Sequence, residues 1–228
     1  MVGRHLFYNH SAFDGENGGA DAADDDAVAP DKAALLPGQA ASVANISSYV
    51  RGINGVMLDV LDLPTGANLE ASDFTFSVGS NGSTSSWSAA PAPLAVNTRR
   101  GAGDGGSDRV TIVWADGAIL DQWLRVTVAA NPRTRLATPE VFFFGSLAGE
   151  TGDRPAAASV TALDLAGVRR HLNSAATPSS TYDFNRDGRV DALDLAAVRA
   201  GLLRSLVMPT ALAAAAPFGD DRITALLD

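Results

Sequence analysis

A mainly β fold, an antiparallel β-sandwich followed by a small α-helical domain, is what this sequence predicts. Three observations carry that expectation. Short β-prone runs alternate with turn clusters over residues 1–148, a repeat of helical periodicity follows, and 22 Gly with 11 Pro in 228 residues supply many turns.

The β-prone runs are Leu6–Tyr8, Gly55–Val60, Phe74–Val78, Arg109–Trp114, Trp123–Val128 and Val141–Phe144. Each is rich in Val, Ile, Thr or aromatic residues, and turn residues such as Gly79–Ser83 and Gly101–Ser107 separate them. Strands with no long helix between them pair antiparallel, and two such sheets stacked face to face make a sandwich.

The repeat lies beyond residue 150. Residues 160–170 (Val-Thr-Ala-Leu-Asp-Leu-Ala-Gly-Val-Arg-Arg) recur at 190–200 as Val-Asp-Ala-Leu-Asp-Leu-Ala-Ala-Val-Arg-Ala. Each copy carries an apolar helical stripe, Leu165/Val168/Leu172 and Leu195/Val198/Leu202. The linker between them contains Thr177-Pro178-Ser179-Ser180. The expected organisation is a sandwich over 1–148, a two-helix domain over 149–206, and an Ala-rich, weakly ordered tail over 207–228.

Composition narrows the function classes. Net charge is −9, so no nucleic-acid partner is expected, because phosphate binding needs a basic face. The acidity is local: residues 11–31 hold Asp14, Glu16, Asp21, Asp24, Asp25, Asp26 and Asp31 with no base. The chain has no cysteine, which removes disulfides, thiol catalysis and Cys-ligated zinc. No apolar run is long enough for a membrane-spanning helix. The N-terminus lacks a signal-peptide pattern and reads as the start of a module from a longer protein.

Residues 183–194 have the composition of a calcium loop. Oxygen donors fall at loop positions 1, 3, 5, 7, 9 and 12: Asp183, Asn185, Asp187, the carbonyl of Arg189, Asp191 and Asp194, with Gly188 at position 6. Calcium needs such a set of hard oxygens, carrying several charges, to compete with water. Asp194 also falls in the first turn of the following helix, where a carboxylate suits the positive helix end. At the same thirty-residue offset the first repeat keeps only Asp153, Thr161 and Asp164 as side-chain donors. Pro155, Ala157 and Ala158 stand at the middle positions. The first loop is therefore expected to be a weak or empty second metal site.

These residues resemble a type I dockerin, a pair of calcium loops each followed by one helix without the leading helix of a full EF-hand (an F-hand). The likeness covers about 152–204, and Asp rather than Glu at the last loop position, Asp194, agrees with it. The first repeat departs from the pattern in its missing middle ligands. The resemblance implies that Ca2+ folds the domain, and that loop positions 10 and 11 plus a basic pair one turn into the helix dock onto a cohesin. Those positions are Ala162, Leu163, Arg169 and Arg170 in one copy, and Ala192, Leu193 and Arg199 in the other, with Ala200 replacing the second base. The region before it is similar to the β-rich modules that precede such repeats in large secreted bacterial proteins. The partner implied is a cohesin-like protein or the chain's own β-sandwich, and the setting secreted or cell-surface.

The remaining constellations are weaker. Asp14-Gly15-Glu16-Asn17 and Asp24–Asp26 are hard-oxygen donors in a loop, read as a solvated surface with metal binding as the sharper alternative. His5 and His10 fall on opposite strand faces, against a shared zinc. Glycosidase chemistry would need a pair among Asp59, Asp62, Glu70, Asp73, Asp116 and Asp121, yet nothing singles out two of them. Trp114 is expected in the core, whereas Trp87 is the candidate for a sugar-stacking surface. The expectation is a non-enzymatic interaction module. The alternative is a carbohydrate-associated module that binds polysaccharide or serves a polysaccharide-degrading enzyme.

Overall fold

The structure, a computed structural model, describes residues 1–154 and 157–209. Nine strands form two sheets. The first holds β1 (Gly3–Leu6), β3 (Gly55–Val60), β6 (Ala95–Arg99) and β7 (Asp108–Val113), in the order β1-β3-β7-β6 with every pair antiparallel. The second holds β2 (Ile46–Ser47), β4 (Phe74–Gly79), β5 (Ser88–Ala89), β8 (Trp123–Val128) and β9 (Glu140–Ser146), in the order β2-β9-β8-β4-β5. Its pairs are antiparallel except β2 with β9, which run parallel.

Alternation along the strands decides what each face meets. Leu124, Val126 and Val128 of β8 and Phe142 and Phe144 of β9 enter the core between the sheets, beside Leu6, Val56, Leu58, Val110 and Ile112. Their neighbours Trp123 and Phe143 belong to a second apolar cluster with Leu147, Val160, Val168, Phe184, Val190, Val198 and Leu206. The second sheet is thus covered on both faces, which explains the unbroken apolar run in β9. The strands that the sequence did not mark, β2, β5 and β6, are two-residue pieces or an edge strand following Pro91 and Pro93.

The repeat folds as α1 (Ala162–His171) and α2 (Ala192–Gly201). Thr161 and Asp191 cap the helices through capping boxes that Asp164 and Asp194 complete three residues on. Val168 and Val198 are the fully buried members of the apolar stripes, while the leucines of both stripes are half-buried. Two short antiparallel pairs tie the repeats: β10 (Ala158–Ser159) with β13 (Ser205–Leu206), and β11 (Ser174–Ala175) with β12 (Arg189–Val190). Asn173 and Leu203, thirty residues apart, both turn left-handed at φ 67° and 71°. Asn173 then donates its N–H to the Val190 carbonyl and Leu203 to the Val160 carbonyl. Each helix exits by binding the other repeat's loop, so the repeats are interlocked. Of the expected tail, residues 207–209 are described. The Val207 carbonyl accepts from Trp123 Nε1 at 2.9 Å, and Met208 packs on the second cluster. Residues 210–228 lie outside the described residues.

A buried ion pair sits in the first sheet. Asp59, in the middle of β3, accepts two bonds of 2.8 Å from the Arg109 guanidinium, and also bonds His5 and the Asp104 amide. Burial pushes the Asp59 carboxyl up, but Arg109, the Asp104 amide and His5 outweigh it and hold the group at about 2. Because this folded-state pKa is depressed, the pair contributes stability above the ordinary carboxylate value and loses it as pH falls towards 2. Asp59→Asn removes the bidentate partner of Arg109 and leaves it the contacts with Asp25 and Asp104; it should cost about 2–4 kcal/mol at neutral pH in denaturant melts, with the difference from wild type shrinking in acid. Leu203 offers the opposite effect, since its side chain is 93% exposed and its backbone is left-handed. Leu203→Gly removes that strain and should raise stability by about 0.5–1 kcal/mol in the same melts.

Candidate metal centre and docking faces

The second loop presents two buried carboxylates to its interior. Asp183 accepts from the amides of Gly188 (3.0 Å) and Asp187 (3.3 Å), and Asp194 from those of Phe184 (2.6 Å) and Asp191 (2.8 Å). These bonds wrap the loop around its first and last donors. Asn185 Nδ2 donates to Asp187 at 2.8 Å on the exposed rim, and Asp191 caps α2 through the Leu193 amide. The Arg189 side chain is exposed. Burial, with repulsion from Asp194 and Asp187, pushes Asp183 up to about 6 against the opposing pull of Arg186. Burial likewise pushes Asp194 up. Among the described residues neither aspartate forms an ion pair with Lys, Arg or His, whereas the buried Asp59 and Asp73 pair with Arg109 and Arg133. Buried carboxylates in a loop of hard oxygens, with no cationic side chain bonded to them, suit a calcium ion. The ion would supply the missing charge and fix the loop; Asp183, Asn185, Asp187, the Arg189 carbonyl, Asp191 and Asp194 are the residues to hold it.

The first loop is built differently from the fixed-offset reading. In the second repeat the amide donating to Asp194 is that of Phe184, directly after Asp183; in the first, the amide donating to Asp164 is that of Thr151, directly after Glu150 (2.9 Å). Glu150 therefore stands where Asp183 stands, and the first loop is three residues longer. Carboxylate oxygens of Glu150, Asp153 and Asp164 all lie within 4.8 Å of one another. The second-loop acids are not drawn together to that degree. Thr161 bonds both Asp164 (3.1 Å) and Asp153 (3.4 Å), so the three donors expected here are neighbours. Burial pushes Glu150 up to about 7, with Asp164 and Asp153 adding to the rise against the amides of Gly152 and Ser159. Glu150 was missed because an insertion moves it outside the frame of the repeat; the signal was Gly149-Glu150-Thr151-Gly152 immediately before Asp153.

The loops are braced by the sandwich. Arg186, at loop position 4, is buried with its guanidinium 4.1 Å from the Tyr8 ring centroid. It donates to Tyr8 Oη (2.9 Å), Ser48 Oγ (3.1 Å) and the Ser180 carbonyl. Backbone bonds run from Val50 N to the Phe184 carbonyl and from Ala12 N to the Arg186 carbonyl, each 2.9 Å. Asp121 adds a bridge, accepting from Arg204 (2.8 Å) and from the Ala148 amide (3.0 Å). The helix starts stay open to solvent. Leu163 is 58% and Leu193 61% exposed, and Ala162, Arg169, Arg170, Ala192 and Arg199 are exposed beside them.

Among the other carboxylates considered for chemistry, Asp59, Glu70, Asp73, Asp116 and Asp121 are bonded to Arg109, Arg133, Arg133, Arg51 and Arg204 respectively. His5 bonds Asp59 and His10 bonds Asp116, so the two histidines sit in separate networks. Trp114 is buried as expected. Trp87 is half-buried, edge-on to Phe143 at 5.8 Å, with Nε1 donating to the Asn81 carbonyl.

The paired loop-and-helix units with Asp at both helix starts decide the family of this part of the chain. Residues 152–203 match the family model of the dockerin type I domain. The matched family model describes calcium-binding, non-catalytic docking modules, and the match leaves residues 1–151 uncovered. No curated protein and no solved structure matches the chain. Because the dockerin segment is held through Arg186, Arg186→Ala should destabilise the chain by about 2–4 kcal/mol, read as a lower denaturation midpoint at unchanged secondary structure.

Proposed function

We propose that this chain is a calcium-stabilised, non-catalytic docking module of a secreted bacterial protein. In this reading the β-sandwich braces the dockerin segment from one side, and the two helix starts receive a cohesin-like partner on the other. The observation that carries it is the exposure of Leu163 and Leu193, large apolar residues at equivalent positions of two interlocked repeats. Bracing engages Arg186, Phe184, Val160 and Arg204, none of which belongs to that pair of faces. Exposed apolar side chains at the starts of helices that also expose Arg169, Arg170 and Arg199 have the composition of a protein interface centre and its basic edge.

Calcium serves structure in this mechanism. An ion on Asp183 and Asp194, and a second on Glu150, Asp153 and Asp164, neutralises buried charge and fixes the first turn of each helix. Metal binding and the orientation of Leu163 and Leu193 are then one equilibrium.

The experiment is binding of the full chain to purified type I cohesins by calorimetry in calcium. Wild type is expected to bind, and chelation with EDTA to abolish binding. The double variant Leu163→Asp/Leu193→Asp should lose binding while its Tm stays within about 2–4 °C of wild type, since exposed positions contribute little to stability. Binding that survives the double variant, or a fall in Tm well beyond that range, overturns the reading.

A further inference from the structure

The buried acids divide by what neutralises them. Asp59 and Asp73 are paired with arginines. Glu150 with Asp164, and Asp183 with Asp194, lie in the two loops of the dockerin segment. The remaining buried acids are Asp14 and Asp24, both in the acidic stretch of the N-terminal part and both without an ion pair among the described residues. A buried carboxylate is costly unless it is paired, protonated or bound to a metal. Asp14 and Asp24 share the condition of the loop acids without sharing their loop.

Their surroundings point to a cation. The short helical turns Ala12–Asp14 and Ala23–Ala27 pack against each other. Asp14 accepts from the amides of His10, Ser11 and Asn17, and Asp24 Oδ2 from that of Asp21. Asp24 Oδ1 is buried with no hydrogen-bond partner. Independently of the acids, Asn9 enters from the sandwich and is 2% exposed. Its Nδ2 donates to the Gly18 carbonyl, which ties the side chain to the segment between the two turns. Its Oδ1 is likewise buried and without a partner. Two orphaned buried oxygens, one carboxylate and one amide, are the donors that a hard cation would satisfy and that a hydrogen-bonded protein interior does not leave free. Burial pushes Asp24 up to about 7, and the charges of Asp21 and Asp14 add to that rise.

We infer that Asn9, Asp14 and Asp24 form a further divalent-cation site, suited to calcium, inside the β-rich part of the chain. Its donors are all oxygen, carried on short helical turns and the segment after β1, which suits the flexible coordination of calcium better than the strict octahedron of magnesium. The site adjoins the brace, because Ala12, two residues before Asp14, binds the Arg186 carbonyl of the second dockerin loop.

Counting calcium bound per full chain by equilibrium dialysis against millimolar calcium chloride tests this. Asp24→Asn keeps shape, removes a buried unneutralised charge, and is expected to melt no lower than wild type in EDTA. It should bind one calcium fewer than wild type. Asp183→Asn, which acts on the dockerin loop, serves as comparator, and the two losses should add in the double variant. An unchanged count in Asp24→Asn overturns the inference. Should that variant fail to fold, anomalous scattering from wild-type crystals grown in calcium chloride decides: a peak beside Asn9 Oδ1 and Asp24 Oδ1 supports the site, and its absence there sinks it.

Discussion

A carboxylate kept from water with no positive side chain bonded to it is the constraint on which the dockerin segment turns. Asp183 and Asp194 are buried, bond mainly to backbone amides, and repel one another. Amides orient an anion but do not neutralise it, so in the proposed reading a calcium ion supplies the missing charge. The turn of the loop rests on Asp183 and the cap of α2 on Asp194. In the first sheet, by contrast, Arg109 supplies the charge internally.

The sandwich and the dockerin segment share more than a chain connection. Period-two alternation in β8 and β9 splits Leu124, Phe142 and Phe144 from Trp123 and Phe143, and sends the two sets into different cores. Arg186 then carries the contact into the metal loop itself. It occupies a loop position that carries no expected ligand, and its side chain turns out of the loop towards Tyr8 and Ser48. In the proposed reading, an ion that sets the loop also sets a residue that grips the β-rich part.

Much of this was legible in the residues. Five of the six marked runs, the repeat, its helices and the second loop follow from local periodicity and ligand spacing, whereas the run Leu6–Tyr8 shares only Leu6 with β1. What the sequence hid depends on distant contacts or on broken register. Phe142-Phe143-Phe144 read only as a β-prone run, and its burial on both faces depends on distant residues such as Val160 and Phe184. Glu150 escaped because a three-residue insertion shifts it from the repeat's frame, and only its bond pattern reveals the equivalence with Asp183. β6 is an edge strand whose pairing with β7 outweighs a weak local preference. Arg186 read as one more charged loop residue, since burial of a guanidinium is decided by Tyr8, 178 residues away.

The arrangement also explains how one small segment can be held and remain available. A dockerin segment of two short helices buries little apolar surface by itself, and Val168 and Val198 are the fully buried members of its helical stripes. Packing Phe184, Val160 and Leu206 onto the outer face of the second sheet enlarges that core without using the helix starts. Pseudo-twofold symmetry places Leu163 and Leu193 in equivalent settings, so bracing that covered one of them would have been free to cover the other. Both stay exposed, at 58% and 61%. The sandwich thus packs on other surfaces of the segment, and the residues left outside are the ones proposed to meet a partner.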